Sequence, residues 1–328
     1  MISVDFANCV YVTLLIDCYD ILYSMKYVHK AGEFTWIDLF QPTREETVAL
    51  MEEYHLDPII AEDIVTTTPK QQFLTFPQQL YFVFHFPVFR QSHISGFSQE
   101  IDIVLMEKTI ITAHYDTVDA LDAFRKKAEA SLIHKNVRNA HTAESYFFMI
   151  LHDLYNASGY ELDAINSRIA TAEAKVFSGL EKTMVRELSE ISRLLINFKT
   201  SILPHREILE SLKHHNIKHS NIRNQHLYEM IETDFFRIKN TLTGLFDTID
   251  ALRETNNSLL STKQNEIMKF FTVVAFLILP FSLVANLFSM NTISTPIIGT
   301  ANDFWMLIGG TSFVTLCLLF ISLRNKWI

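Results

Sequence analysis

The sequence predicts an α+β cytosolic domain followed by a long stalk helix and two C-terminal transmembrane helices. Residues 270–302 contain no charged side chain, a run of 33 positions (302 − 270 + 1), where one membrane span needs about 20. The first third alternates β-branched and aromatic runs with polar breaks, whereas the pattern from about Ala143 onward is helical. The chain is 48% hydrophobic but also 20% charged, which suits a soluble domain joined to a small membrane part.

Residues 1–24 are treated as an N-terminal extension of uncertain status. They are apolar, but they lack a basic start, and Asp17 and Asp20 interrupt the run. These features exclude a signal peptide and a transmembrane span. A strand, or a start codon assigned ahead of the true start at Met25, explains them, and the sequence does not choose between the two.

Residues 25–130 are predicted to form a cytosolic α/β domain. Strands are expected at the runs "FTWIDLF", "QLYFVFHFPVF", "EIDIVLMEK" and "TIITAHY". Thr43 precedes Glu46 by three residues, the spacing of a capping box at the start of a helix. Residues 131–222 form the helical part, with one helix ending near Phe177 and a second ending at Pro204.

Residues 223–291 are predicted to be one stalk helix that continues into the first span at about 270–288. From Ile222 to the residue before Pro280, the only glycine or proline is Gly244. More than 50 helical residues would reach about 80 Å. A helix of that length cannot be the core of one globule, so it must pack against copies of itself or against neighbouring helices.

The outer loop is placed at residues 292–303, the second span at 304–323 and a short tail at 324–328. Pro296 and Gly299 break the apolar pattern between the spans. Lys and Arg flank the spans on the side of the chain termini, and the loop has none. We therefore expect a multi-pass protein of the cell (inner, cytoplasmic) membrane with both termini in the cytoplasm.

One face of the first span is small or polar. Its residues recur in steps of three and four, which places them on one stripe: Asn265, Met268, Thr272, Ala275, Leu279, Ser282, Asn286 and Ser289. The other faces are bulky and apolar. In hydrocarbon such a stripe must face protein or water, so tight helix packing and a water-filled pore both remain open. A pore would need a symmetric ring of subunits.

The stretch "NEIMKFFTVVAFLILPFSLVANLFSMN", residues 265–291, resembles the CorA family of divalent-cation transporters. That family's pattern is N-x-x-M-K-x-L-T, then F-x-P-x-T, then Y-G-M-N, and this chain has Ser-Met-Asn in place of Gly-Met-Asn. "WID", "LPHREIL" and "ALRETNNSLL" resemble the family's cytosolic domain and stalk, so the resemblance extends from about Phe34 onward. It implies a funnel-shaped homopentamer with a pore lined by the first span.

The resemblance also implies a function and a site. It implies passive transport of Mg²⁺, with Co²⁺ and Ni²⁺ as further candidates, down the membrane potential. Ser289, Met290 and Asn291 would form the selectivity filter, where Asn291 holds the ion through its hydration waters. The remaining seven stripe residues, from Asn265 to Asn286, would line the pore. The expected partners are the bilayer, divalent cations and further copies of the chain.

Several classes of function are excluded by the sequence. A net charge of −9, from 28 basic and 37 acidic residues, argues against nucleic-acid binding. The sequence has no nucleotide-binding GxxxxGK[ST] motif, catalytic triad or metalloprotease motif. We therefore expect a non-enzyme without a cofactor.

Two alternatives remain open. One is a zinc transporter of the same fold, coupled to protons, and the other is a pentameric scaffold that conducts poorly. The histidines His214, His215, His219 and His226 could suggest a zinc site. No cysteine lies near them, and a solvated connection between helices in a polar loop is the preferred interpretation.

Overall fold

The computed structural model describes residues 25–31, 33–88, 98–133, 142–219, 222–289 and 302–324. By contacts between Cα atoms the chain divides into two compact units. The first comprises Met1–Ala174 and Arg186–Ala251, and the second comprises Lys175–Val185 and Leu252–Ile328. The first unit holds the sheet, and the second holds the two apolar segments predicted to be spans.

The first unit is built on a six-stranded sheet with the order β1-β2-β6-β5-β4-β3. The strands are β1 (Met25–Ala31), β2 (Phe34–Phe40), β3 (Gln72–Phe76), β4 (Gln79–Pro87), β5 (Ser98–Leu105) and β6 (Thr109–His114). Neighbouring strands are antiparallel except β2 and β6, which run parallel. The four predicted strands are confirmed, whereas β1 and β3, at the two edges, were not predicted.

Both faces of the sheet are covered by helices. On one face, Leu50 of α1 (Arg44–Tyr54) and Ile60 of α2 (Pro58–Asp63) join a buried cluster with residues of β2, β4, β5 and β6. On the other face, Phe82 lies 4.7 Å from Phe147, measured between ring centroids. Alternate residues of each strand therefore enter two separate apolar layers.

The predicted capping box is confirmed. The Thr43 backbone N–H donates to Glu46 Oε2 at 2.8 Å, and the Glu46 backbone N–H donates to Thr43 Oγ1 at 3.3 Å. These two bonds satisfy donors that the first turn of a helix otherwise leaves free. The helix ends where His55 adopts the left-handed conformation, with φ of 54°.

The remaining helices of the soluble part are α3 (Asp119–Ile133), α4 (Ala143–Phe177), α5 (Glu181–Ile202) and α6 (His205–His219). One expectation is corrected here: His214 and His215 lie within α6, not in a polar loop. A new helix, α6, begins directly after Pro204, because proline is tolerated at the start of a helix, where its missing N–H would have no partner.

The two apolar helices are α7 (Ile222–Ser289) and α8 (Asp303–Arg324). α7 has 68 residues and continues through Pro280, a length of about 100 Å at 1.5 Å per residue. Among the described residues, these two helices are long and apolar enough to cross a membrane, and 6% of each apolar window is buried. So little burial distinguishes them from the core helices of a soluble protein.

Candidate functional site

The predicted pore-lining residues form one continuous exposed face of α7. All seven are solvent-exposed in the single chain: Asn265, Met268, Thr272, Ala275, Leu279, Ser282 and Asn286. The two large apolar members, Met268 and Leu279, are 67% and 60% exposed. The stripe is therefore left uncovered along its whole length by the described part of the chain.

The shielded face of α7 lies on nearly the opposite side of the helix. It consists of Val273, which is 5% exposed, and of the half-buried Leu277, Pro280 and Val284, spaced four, three and four residues apart. At about 100° per residue, these positions point away from the stripe. The described part of the chain thus shields one narrow side of the span, and bulky apolar residues on its other sides, among them Phe276, Ile278 and Leu283, are exposed as the stripe is.

α8 also has a shielded face. Its buried and half-buried residues recur at helical spacing: Leu307, Thr311, Ser312, Thr315, Leu318, Leu319 and Ser322. Within α8, the Thr311 and Thr315 hydroxyls donate to backbone carbonyls one turn back, at 2.8 and 2.9 Å. These bonds satisfy the hydroxyl donors without water, as a helix in hydrocarbon requires.

Two hydroxyls of the α7 stripe, those of Thr272 and Ser289, are satisfied in the same way. Thr272 Oγ1 donates to the Met268 carbonyl at 2.8 Å, and Ser289 Oγ donates to the Asn286 carbonyl at 2.9 Å. Each hydroxyl donor is used, but the oxygen lone pairs remain able to accept. Along the stripe these hydroxyls therefore present acceptor oxygens, the groups that suit hydrated Mg²⁺.

The C-terminal end of α7 is Ser289, the last helical residue. Met290 and Asn291, the other two residues of the predicted selectivity filter, lie outside the described residues. Pro280 lies nine residues before Ser289 and has no backbone N–H, so the Phe276 carbonyl lacks its usual helical donor. Proline is tolerated in membrane helices where neighbouring groups or water satisfy such a carbonyl.

The N-terminal end of the stripe lies next to an ion pair that sequence reasoning missed. Lys263 Nζ lies 2.6 Å from Glu181 Oε2 and donates to the Gly179 carbonyl at 3.4 Å. Hydrogen bonding to Lys263 holds the pKa of the Glu181 carboxyl below its usual value. Glu181 and Lys263 are 82 positions apart, and no local pattern in the sequence relates them.

The histidines of α6 do not form a metal centre with their described neighbours. The His215 ring lies edge-on to Phe73, with 6.2 Å between centroids. Where side chains are described, no three His, Cys, Asp or Glu residues come together as metal ligands. The His219 side chain lies outside the described part.

A family model and individual known proteins both match this chain, and they point to the same family. Residues 31–324 match the model of the family described as CorA-like Mg²⁺ transporter protein. The chain is 20% identical to the cobalt/magnesium transport protein CorA of Thermotoga maritima over 258 residues, 78% of this chain and 73% of that protein. It is 23% identical to the magnesium transport protein CorA of Helicobacter pylori over 269 residues, 79% and 80% of the two chains.

The fold is shared with a solved structure. The complete structure of the CorA magnesium transporter from Methanocaldococcus jannaschii superposes with a TM-score of 0.78 at 17% identity. The match covers 93% of this chain and 94% of that one. At such low identity the match establishes the fold, including the long helix and the two apolar C-terminal helices.

Proposed function

This chain belongs to the family of CorA-like Mg²⁺ transporter proteins, and from that membership we propose that it is a channel for divalent cations, with Mg²⁺ as the main substrate. Co²⁺ and Ni²⁺ are further candidate substrates. The observation that carries the proposal is the small and polar stripe on α7, which the described part of the chain leaves uncovered. In hydrocarbon, a small and polar face needs water or protein beside it.

A ring of identical subunits would give the stripe its aqueous partner. Two spans cannot enclose a pore, but five copies that turn their stripes to a common axis can. In such a homopentamer, Asn286 and Ser282 would form polar rings, and Leu279 and Met268 would form apolar constrictions able to gate by dewetting. Asn265 would ring the cytosolic entrance.

The proposed filter uses neutral oxygens. Mg²⁺ keeps most of its hydration waters, and amide and hydroxyl oxygens can hold those waters without stripping them. Asn291 would form the outermost ring, beside Met290 and Ser289. A ring of carboxylates would bind the ion more tightly, whereas conduction also requires release.

Ser289 replaces the glycine of the family pattern. Its hydroxyl is bonded to the Asn286 carbonyl, which ties the end of the helix to a residue of the proposed pore. Glycine would remove that side-chain bond and make the backbone more flexible. We infer that Ser289 makes the mouth of the channel stiffer than a glycine at this position would.

The driving force is electrical. A doubly charged ion that moves inward across about 100 mV gains about 4.6 kcal/mol, so neither nucleotide hydrolysis nor a cofactor is needed. In this proposal the chain is not an enzyme. It lies in the inner membrane with both termini in the cytoplasm, because Lys263, Lys269 and Arg324 all flank the spans on the terminal side.

Ion flux into proteoliposomes tests the proposal. An inside-negative potential should drive Mg²⁺ entry, and collapse of the potential should stop it. Zn²⁺ entry that follows a pH gradient would instead identify a proton-coupled zinc transporter. No flux of either ion, from an inserted and correctly assembled protein, would identify a scaffold and refute the channel.

A further inference from the structure

The turn between α4 and α5, residues 175–185, lies in the same compact unit as the lower stalk and the spans. We call these residues the hairpin tip. Its turn is closed by two hydrogen bonds, from the Leu180 N–H to the Lys175 carbonyl and from the Gly179 N–H to the Val176 carbonyl. With Gly179 at φ of 93°, this is the pattern that commonly ends a helix. The tip is therefore a defined turn.

The hairpin tip is held to the stalk. Its Val176 and Met184 side chains are buried, and Glu181 forms the 2.6 Å ion pair with Lys263 of α7. Glu181 is 5% exposed, so water has little access to the carboxylate, and Lys263 neutralises its charge. This ion pair and the hydrogen bond from Lys263 to the Gly179 carbonyl fix the position of the tip along α7.

That position is close to the membrane surface. Lys263 precedes Phe270, the first residue of the charge-free run, by seven residues (270 − 263). Seven helical residues rise about 10 Å. The headgroup layer of a bilayer extends about 5–8 Å beyond the hydrocarbon on each side. The hairpin tip thus lies beside the cytosolic headgroups.

The exposed chemistry of the tip suits that location. Phe177 is 66% exposed and Leu180 is 50% exposed, and Lys182 is also exposed. Glu181 is the one acidic residue among residues 175–185, and Lys263 neutralises it. In a chain of net charge −9, the tip presents apolar and basic groups together, the combination that binds an anionic lipid surface.

We propose that the hairpin tip is a membrane-contact site, in which Phe177 and Leu180 enter the lipid interface and Lys182 meets anionic headgroups. The spans alone would leave α4 and α5 attached to the bilayer only through α7. The tip adds a second point of contact and braces the stalk at the proposed cytosolic entrance. This inference needs the protein to lie in a membrane, but not to conduct any particular ion.

Quenching by spin-labelled lipid tests the contact. In full-length protein with Cys9, Cys18 and Cys317 replaced by Ala, an environment-sensitive fluorophore is attached at Leu180→Cys. The protein is reconstituted with phosphatidylglycerol, phosphatidylcholine and a lipid whose acyl chain carries a nitroxide close to the headgroup. Ile196→Cys is the matched control, because Ile196 is an apolar residue of α5 with 53% exposure. Phe276→Cys, within the first span, verifies insertion.

The label at position 180 should lose most of its emission to the nitroxide, while the label at position 196 keeps its emission. Thr183→Cys, a second exposed tip position, should behave as position 180 does. Lys182→Glu should reduce the quenching in anionic membranes. Emission at positions 180 and 183 that is unquenched while position 276 is quenched would overturn the proposal. Blue-shifted but unquenched emission would also overturn it, because the tip would then contact a neighbouring subunit.

Discussion

Lowering the pH from 7 to 5 should destabilise the soluble part of the protein through one buried residue, His205. The ring is fully buried, and its centroid lies 5.0 Å from that of Phe84 and 4.9 Å from that of Phe86. Nε2 donates to the His85 carbonyl at 3.1 Å, and Nδ1 accepts from the Tyr155 hydroxyl at 2.9 Å. Burial lowers the pKa of His205 to about 3, so the folded protein holds this ring neutral.

The sign and size of the effect follow from proton linkage. The unfolded chain protonates His205 near its ordinary pKa of about 6.5, so between that value and about 3 the unfolded state binds more protons. The stability contributed by the neutral ring is present above about pH 6.5 and is lost as the pH falls. Each pH unit below 6.5 lowers the unfolding free energy by about 1.4 kcal/mol, so at pH 5 the loss should be about 2 kcal/mol.

Urea unfolding of the full-length protein in detergent, at pH 7 and at pH 5, measures this loss. His205→Gln is the informative variant, because an amide can donate to His85 and accept from Tyr155 without titrating. The variant should lose about 2 kcal/mol less than the wild type between the two pH values. His226→Gln, at an exposed position, is the control and should behave as the wild type. Equal pH dependence of wild type and His205→Gln would refute the reasoning.

Three further predictions concern other parts of the chain. Asn291→Ala should abolish potential-driven Mg²⁺ flux while Ser289→Gly preserves or raises it, and undiminished flux in the alanine variant would exclude the filter role. Gly179→Ala should lower the unfolding free energy by about 1 kcal/mol, because Gly179 has a positive φ. Gly244→Ala should raise the unfolding free energy by up to about 1 kcal/mol, because Gly244 lies in an exposed helix interior with open space around it. Equal effects of the two variants in urea unfolding would contradict both predictions. Burial opposes protonation of His114, but its hydrogen bond and charge interaction with Asp38 outweigh burial and raise the pKa. The stability that this pair contributes is present below about pH 6.5 and is lost as the pH rises through the folded pKa, so His114→Gln should flatten that part of a urea-stability profile.

Elements that depend on residues close together in the chain could be predicted from local patterns in the sequence. The Thr43–Glu46 capping box, the central strands and the two apolar helices each follow from spacing within a few turns or strands. The α7 stripe follows from one helical period, and the structure leaves all seven of its predicted pore-lining residues exposed.

Contacts between residues far apart in the chain could not be predicted from the sequence. The edge strand β1 (Met25–Ala31) is rich in polar residues, and its identity depends on pairing with β2. The Glu181–Lys263 ion pair joins positions 82 residues apart, and no periodic pattern relates them. His214 and His215 were assigned to a loop because their neighbours are polar, yet a solvated helix can have the same composition. The role of Asn291 stays a prediction.

The most direct test of the α7 face is chemical block of the flux. In the cysteine-free background, Ser282→Cys lies on the stripe, and Phe281→Cys lies about 150° around the helix from its centre. A charged, membrane-impermeant thiol reagent should stop potential-driven Mg²⁺ uptake in the Ser282→Cys protein and leave uptake by the Phe281→Cys protein unchanged. Uptake that persists after complete modification of Ser282→Cys would contradict the claim that this face lines the ion path.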